Sequence, residues 1–305
     1  MEVLVIGAGV SGLSSALRLA EAGHSVRIRT AARPHETTSR VAGAMWGSTS
    51  AGPADRVGDW ALESLHAFRA LAERSGTGVA FTSGTLASRG GAAPPPQLFP
   101  GVEIESRDPP PGFAAAFRVT VPLIDMPRYL DHLTARLDAA GVPIEVRAVR
   151  SLDLDQDADV VVNCAGLGAR ELVPDDALSA IRGQHVVVEN PGIDEFFMTE
   201  PFGEAWTSFF PHGDHVVIGS VAQPDDEDEA PRDADAELML AAAATIEPRF
   251  ADAPVIEHQV GLRPMRDVVR LEREGRVIHN YGHGGTGVGL SWGCASDVVA
   301  LVAAA

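Results

Sequence analysis

The chain has 305 residues, of which 45% are hydrophobic and 22% are charged, so it can bury a large core and form two lobes. Its formal net charge of −18 at pH 7 argues against nucleic acid and anionic membrane surfaces as partners. Two cysteines in apolar segments, Cys164 and Cys294, are typical of a reducing compartment and give neither a disulfide scaffold nor a zinc pattern. No signal peptide and no apolar stretch near the ~20 residues of a bilayer span are recognised. We therefore expect a cytoplasmic protein without a metal site.

The chain opens with the pattern of a βαβ unit. Residues 3–6 form a short apolar run that predicts a buried strand, residues 11–22 carry apolar positions at helical spacing, and residues 25–29 read as a second strand. The string Gly7-Ala8-Gly9-Val10-Ser11-Gly12 between them matches the dinucleotide-binding fingerprint. The glycines allow a tight turn, close approach of a pyrophosphate and close packing of the helix. The pattern predicts cofactor contacts at Gly7, Gly9, Val10, Ser11 and Gly12.

The rest of the chain alternates between two kinds of pattern. Residues 47–125 hold one amphipathic helix (60–75) followed by turn-rich sequence with two proline clusters, and residues 128–163 read as a helix and two strands. Antiparallel-style alternation follows at 185–220, then an amphipathic helix at 233–247. The predicted fold is α/β, with a Rossmann-like cofactor-binding domain interleaved with a mixed or antiparallel substrate-binding domain. The first domain is assigned residues 1–46, 126–183 and 261–305, and the second residues 47–125 and 184–260.

A glycine-rich string near the C-terminus identifies the kind of cofactor. Four glycines between positions 282 and 287 follow a β-like run and precede an apolar helix, so bare backbone N–H groups can approach a flat, electron-accepting ligand. The string His279-Asn280-Tyr281-Gly282-His283-Gly284-Gly285, with Trp292-Gly293-Cys294 after it, resembles the signature of the D-amino acid oxidase and glycine oxidase family of FAD-dependent amine oxidases. The resemblance implies that FAD is the cofactor.

The resemblance extends to four further cofactor-contacting segments. It implies a second loop near the pyrophosphate and ring, a backbone contact to the adenine, a turn after the strand at 160–163, and a backbone contact at the pyrimidine edge of the flavin. In that order, the implied residues are Thr37, Thr38, Ser39, Gly43, Ala44 and Met45; Val149; Ala165 and Gly166; and Gly284, Gly285, Thr286 and Gly287.

The resemblance also implies a substrate site. In the segment Gly261-Leu262-Arg263-Pro264-Met265-Arg266, Arg263 matches the arginine whose guanidinium binds the substrate carboxylate through two hydrogen bonds. Gly285 matches the position whose carbonyl accepts a hydrogen bond from the substrate amine. The family's two lid tyrosines are missing, and Ser208 falls where one of them is expected. The implied pocket residues are Met45, Trp206, Ser208 and Phe209.

The missing tyrosines shape the predicted function. An enlarged apolar pocket suits a bulky D-amino acid or an N-substituted glycine, oxidised by hydride transfer from the α-carbon to flavin N5. The resulting imine hydrolyses in water, and O2 is reduced to H2O2. Two alternatives stay open: a flavin-binding protein without oxidase activity, and an NAD(P)-dependent dehydrogenase, which is supported by the first fingerprint alone. The sequence leaves open whether the protein is a homo-oligomer.

Overall fold

A computed structural model describes residues 1–47, 52–94, 96–152, 157–199 and 205–304, and shows a mixed α/β fold. In the described residues the helices are α1 (Val10–Glu21), α2 (Val57–Ala72), α3 (Met126–Ala139), α4 (Asp233–Ile246) and α5 (Gly287–Ala303). The strands are β1 (Glu2–Ile6), β2 (Ser25–Thr30), β3 (Val79–Ser88), β4 (Glu105–Arg107), β5 (Ala115–Ile124), β6 (Ile144–Val146), β7 (Val160–Asn163), β8 (Ser179–Glu189), β9 (Phe196–Thr199), β10 (Ala205–Pro211), β11 (His215–Val221), β12 (Gln223–Pro224), β13 (Val255–Glu274) and β14 (Val277–His283).

The first lobe contains a parallel sheet in the order β14-β7-β1-β2-β6. Its central strands are continuous apolar runs because both faces are covered, and Val3, Val5 and Val162 are fully buried. The helices α1 and α5 follow the parallel strands β1 and β14, so both begin at the same edge of the sheet. The predicted βαβ opening is therefore present, and that edge is where ligands bind in open α/β sheets.

The second lobe continues the same sheet in the order β4-β5-β3-β9-β10-β11-β8-β13, and all of these pairs are antiparallel except β3 with β9. The helix α4 covers its far face, where a second core contains Phe197, Phe209 and Phe250. The predicted domain boundaries at 183/184 and 260/261 fall inside β8 and β13. The two lobes therefore share these two strands, and the division into domains stays a prediction.

The sequence interpretation of residues 76–125 as turn-rich is wrong. The strands β3 and β5 pair over ten residues each, from Val79 opposite Ile124 to Ser88 opposite Ala115. The strand β3 contains Gly84 and several small polar residues, which give a weak strand signal. A Cβ at Gly84 would lie 2.3 Å from the ring of Phe196, its partner on the parallel neighbour β9, so the glycine is required by a contact that the local sequence cannot reveal.

The sequence predicted no apolar stretch near the length of a bilayer span, but the C-terminal helix region reaches that length. The segment Gly284–Ala303 is long and apolar enough to cross a membrane, by length and composition alone. Just over half of its apolar stretch is buried inside the protein, where Leu290, Cys294 and Val298 are fully inaccessible. The core helix of a soluble protein meets the same criteria of length and composition.

Candidate FAD and substrate site

Two glycine positions of the first cofactor segment, Gly7 and Gly12, have no room for a side chain. Gly7 has a φ of +103°, and a Cβ there would lie 2.4 Å from the carbonyl oxygen of Cys164, which follows β7. A Cβ at Gly12 would lie 2.0 Å from the carbonyl oxygen of Gly7. Each of these distances is far below a van der Waals contact, so only glycine fits. The turn therefore brings α1, β1 and the end of β7 into direct contact.

The predicted second loop lies over this turn. The Ser39 hydroxyl accepts a hydrogen bond of 2.9 Å from the N–H of Val10, the first residue of α1. A Cβ at Gly9 would lie 3.1 Å from the same hydroxyl oxygen and 3.9 Å from that of Thr37. Residues Thr38–Val41 form a 3-10 turn, and Met45 then pairs with Leu123 of β5. The loop therefore starts at the cofactor fingerprint and ends against the second lobe.

The other predicted cofactor residues lie close to this region. A Cβ at Gly7 would also lie 3.3 Å from the Cα of Ala165, and Gly166 follows with a φ of +57°. Val149, beyond β6, packs against the apolar cluster under β1 and β7. Ala44 has a φ of +48°, an uncommon conformation for a residue with a side chain. The structure thus brings the segments at 7–12, 37–45 and 165–166 together, while Val149 lies further along the same sheet.

The C-terminal glycines connect the cofactor edge of the sheet to Arg263. Gly284 has a φ of +56°, its N–H donates to the carbonyl of Pro264, and a Cβ there would lie 2.6 Å from the sulfur of Met265. A Cβ at Gly285 would lie 3.5 Å from Cδ of Arg263. Thr286 follows, and Gly287 begins α5. The predicted pair of Arg263 and Gly285 is therefore adjacent.

The arrangement fits an anionic dinucleotide such as FAD. Ser14 and Ser291 are the fifth residues of α1 and α5, and the hydroxyl of Ser14 donates to the carbonyl of Ser291 at 3.3 Å. The two helix N-termini therefore lie side by side at one sheet edge, and each carries the partial positive charge of a helix N-terminus. Glycine-rich turns at Gly7–Gly12 and Gly284–Gly287 border that edge. The residues present fit a cofactor that carries a pyrophosphate and an electron-accepting ring.

Arg263 is an uncompensated cation within the described chain. Its Nη1 donates to the carbonyls of Val221 (3.0 Å) and Arg182 (3.4 Å), and its Nη2 donates to the hydroxyl of Ser220 (2.8 Å). No carboxylate of the described residues pairs with it, and burial lowers the pKa of its guanidinium to about 10. Trp206 stacks on it, with 5.7 Å between Cζ and the ring centroid. A half-buried cation held only by neutral oxygens is arranged to receive an anion.

The neighbouring arginines of β13, Arg266 and Arg270, differ from Arg263 because carboxylates neutralise their charges. Arg266 and Arg270 lie 3.2 Å and 3.9 Å from the same carboxylate oxygen of Asp175. Arg270 also pairs with Glu272 and donates to the hydroxyl of Tyr281 at 2.8 Å. Their charges are already neutralised inside the protein. This contrast separates Arg263 from the other basic residues of β13.

The pocket residues divide between the two faces of β10. Trp206 lies at Arg263, and Ser208 is buried with its hydroxyl donating to the carbonyl of Gly219 at 2.7 Å. Phe209 is on the opposite face, where its ring stacks on Phe197 (5.4 Å) and contacts Phe250 edge-on (5.0 Å). We therefore remove Phe209 from the predicted pocket, because side chains alternate between the faces of a strand.

The cofactor-side neighbour of Phe209 is Phe210, an aromatic residue of the same segment that is absent from the four implied pocket residues. A Cβ at Gly43 would lie 3.2 Å from its ring, so Phe210 packs against the second cofactor loop. The same Cβ would lie 3.4 Å from the ring of His185, a buried residue that was also missed. Strict alternation from Trp206 would have identified Phe210. Nothing in the local sequence marks His185, since it begins an apolar strand segment.

Comparisons with known proteins show the family to which the chain belongs. Residues 2–301 match the family model described as DAO, FAD dependent oxidoreductase. The chain is 40% identical to a D-amino-acid oxidase of Rubrobacter xylanophilus, with 99% of this chain and 96% of the relative aligned. It is 43% identical to a D-amino-acid oxidase of Streptomyces coelicolor, with 98% and 96% aligned.

The fold agrees with solved structures as well. A glycine oxidase from Geobacillus kaustophilus superposes with a TM-score of 0.84 at 19% identity, over 99% of this chain and 94% of that protein. The expected α/β fold and the expected FAD cofactor are confirmed, and an FAD-dependent family sets aside the NAD(P)-dependent dehydrogenase. The chain belongs to the DAO family of FAD-dependent oxidoreductases.

Proposed function

We propose that this protein is an FAD-dependent oxidase of D-amino acids, in which Arg263 binds the substrate carboxylate. The observation that carries the proposal is the half-buried guanidinium of Arg263, which has no carboxylate partner in the described chain. A carboxylate supplies the missing charge and two parallel hydrogen bonds. The curated relatives named as D-amino-acid oxidases support the choice of substrate class.

The neutral oxygens around Arg263 orient it before substrate arrives. Bonds to Ser220 and to the carbonyls of Val221 and Arg182 fix the plane of the guanidinium, and Trp206 covers one side. Less side-chain entropy is then lost on binding, and water is excluded from the ion pair. The position of the carboxylate in turn fixes the α-carbon relative to the cofactor edge.

Gly285 is suited to the substrate amine. Its backbone lies against the Cδ and Nε atoms of Arg263, so its carbonyl can accept from an amine while the carboxylate occupies the guanidinium. With the amine bound in its neutral form, the reaction needs no side-chain base. FAD, when bound, supplies the acceptor that takes the α-hydrogen as hydride and passes the electrons to O2, giving H2O2. The imine product then hydrolyses to a 2-oxo acid and ammonium.

An N-substituted glycine is a second candidate substrate, favoured by the small side chain of Ser208. The residue lies on the cofactor-side face of β10 and its hydroxyl is turned to the backbone of Gly219, so it contributes little bulk to the pocket. Such a substrate would release a primary amine and glyoxylate instead of ammonium and a 2-oxo acid.

We place the enzyme in the cytoplasm, where its two buried free thiols, Cys164 and Cys294, would stay reduced.

The test is a stereochemical product assay on the purified holoenzyme. D-alanine and L-alanine are compared at equal concentration, with H2O2, pyruvate and ammonium measured, and N-ethylglycine is assayed in parallel for ethylamine. We expect H2O2, pyruvate and ammonium in equal amounts from D-alanine and none from L-alanine. Turnover of N-ethylglycine alone would assign the second substrate class. A yellow protein that turns over none of these compounds would instead support a flavin-binding protein without oxidase activity.

A further inference from the structure

A row of residues crosses the second lobe on its cofactor-facing side. Ser208 of β10 pairs with Gly219 of β11, which pairs with His185 of β8. Residues directly opposite on adjacent strands share a face of the sheet. Gly219 has no side chain, and a Cβ there would lie 2.2 Å from Cδ2 of His185. The imidazole therefore lies across Gly219, on the side towards Ser208.

Arg263 uses a second glycine of the same face. A Cβ at Gly183 would lie 2.3 Å from Nη1 of Arg263, so the guanidinium covers Gly183 as the imidazole covers Gly219. Gly183 and His185 are two residues apart on β8 and point to one side. Strand geometry separates the two glycine positions by about 8 Å, from ~6.6 Å along the strand and ~5 Å across it. The guanidinium of Arg263 and the imidazole of His185 are thus neighbours on one face of the sheet, each lying over a glycine.

The hydrogen bonding of His185 defines its free nitrogen. Nδ1 lies 3.0 Å from the carbonyl oxygen of Val41, and a carbonyl can only accept, so Nδ1 carries the proton. Nε2 then has a lone pair, and no group in the described chain donates to it. Burial and the nearby charge of Arg263 lower the pKa of His185 to about 4, which keeps the ring neutral at physiological pH. Nε2 is therefore an acceptor beside the carboxylate-binding cation.

We propose that Nε2 of His185 accepts a hydrogen bond from the side chain of the substrate, so that the enzyme favours D-amino acids with a hydroxyl or amide N–H near the β-carbon. The inference rests on the proposed function and adds a specificity residue to it. The two glycine positions beneath these groups are about 8 Å apart, a separation that two hydrogen bonds of about 3 Å and the short path from carboxylate to β-substituent together cover. The α-amine is directed elsewhere, since Gly285 lies at the Cδ–Nε end of Arg263 and Gly183 at its Nη end.

Two substitutions of His185 test the roles of the two imidazole nitrogens separately. In His185→Asn, the side-chain amide can still donate to the Val41 carbonyl, as Nδ1 does, but the acceptor at Nε2 is lost. In His185→Gln, the longer side chain returns a polar acceptor to the Nε2 position. The substrates are D-serine and D-2-aminobutyrate, which differ by a hydroxyl in place of a methyl group. The measured quantity is the ratio of their kcat/KM values on each FAD-loaded enzyme, with FAD content checked by visible absorbance.

We expect His185→Asn to lower the ratio of D-serine to D-2-aminobutyrate by about fivefold to tenfold, the value of one lost hydrogen bond. We expect His185→Gln to recover most of that ratio. An unchanged ratio in His185→Asn, or an equal loss for both substrates, would overturn the role of His185 while leaving the oxidase proposal intact. If the wild-type enzyme oxidised neither compound, the proposed function and this inference would fall together.

Discussion

Replacement of Arg263 by methionine removes the half-buried cation of the site that has no carboxylate partner in the described chain. Each charge-assisted hydrogen bond to the substrate carboxylate contributes about 1.5–3 kcal/mol, so the pair contributes about 3–6 kcal/mol. That range corresponds to a loss of roughly two to four orders of magnitude in kcat/KM. Because the bonds form before chemistry, the loss should be mainly in KM.

The same substitution should have little effect on folding. Methionine removes the cost of burying an unpaired charge, but it leaves the Ser220 hydroxyl and the carbonyls of Val221 and Arg182 without a donor. These effects oppose each other, and we expect the free energy of unfolding to change by less than about 2 kcal/mol. Loss of activity would then not reflect loss of structure.

Two assays measure the effect. D-alanine kinetics are followed by H2O2 release, and propionate, which has the carboxylate but no amine, is titrated into the oxidised holoenzyme with the flavin spectrum as readout. Both apparent affinities should fall by a similar factor in Arg263→Met. Arg249→Met is the control, since Arg249 is a surface residue paired with Glu247. An unchanged KM and unchanged propionate binding in Arg263→Met would refute the assignment of the carboxylate site.

Three further predictions concern the cofactor fingerprint, a structural arginine and a buried histidine. Gly12→Ala should yield protein without bound FAD, because its Cβ would lie 2.0 Å from the oxygen of Gly7, while Gly58→Ala, which meets no atom within 4 Å, should purify yellow; equal flavin content would contradict this reasoning. Arg182→Met should lower the free energy of unfolding by about 3–5 kcal/mol in urea titrations, because Arg182 is fully buried and paired, and a loss below ~1 kcal/mol would contradict it. Burial lowers the pKa of His283 from 6.5 to about 4, so the unfolded chain binds its proton first as the pH falls. Stability should therefore fall between pH 6.5 and pH 4 more steeply in the wild type than in His283→Gln, by up to about 1.4 kcal/mol per pH unit, and equal slopes would contradict the shift.

The parts of the fold that the sequence predicted well depend on local rules. The turn at Gly7–Gly12 needs glycine because a Cβ at Gly7 would lie 2.4 Å from neighbouring backbone, and a glycine pattern between a strand and a helix records that need. The final helix and the glycines before it follow the same logic. Arg263 was assigned through its matching neighbours, and its lack of a carboxylate partner in the described chain supports that assignment, which stays a prediction.

The parts that were missed depend on contacts between distant segments. His185 is defined by Gly219 and Val41, which lie 34 and 144 positions away, so no local window contains the information. Phe209 was assigned to the pocket because it is aromatic, although only the register of β10 determines which face it occupies. The pairing of β3 with β5 was missed because Gly84 and Pro122 interrupt the two strand patterns, and the ten-residue register that pairs the strands is not local.

The most direct test of the central claim is an anaerobic titration of the purified holoenzyme with D-alanine, followed by N-ethylglycine, while the visible absorbance of the flavin is recorded. We predict that D-alanine bleaches the absorbance and that admission of O2 restores it with release of H2O2. Bleaching by N-ethylglycine alone would keep the oxidase but move its substrate to secondary amines. An absorbance that neither compound changes would contradict the assignment of this protein as an amino acid oxidase.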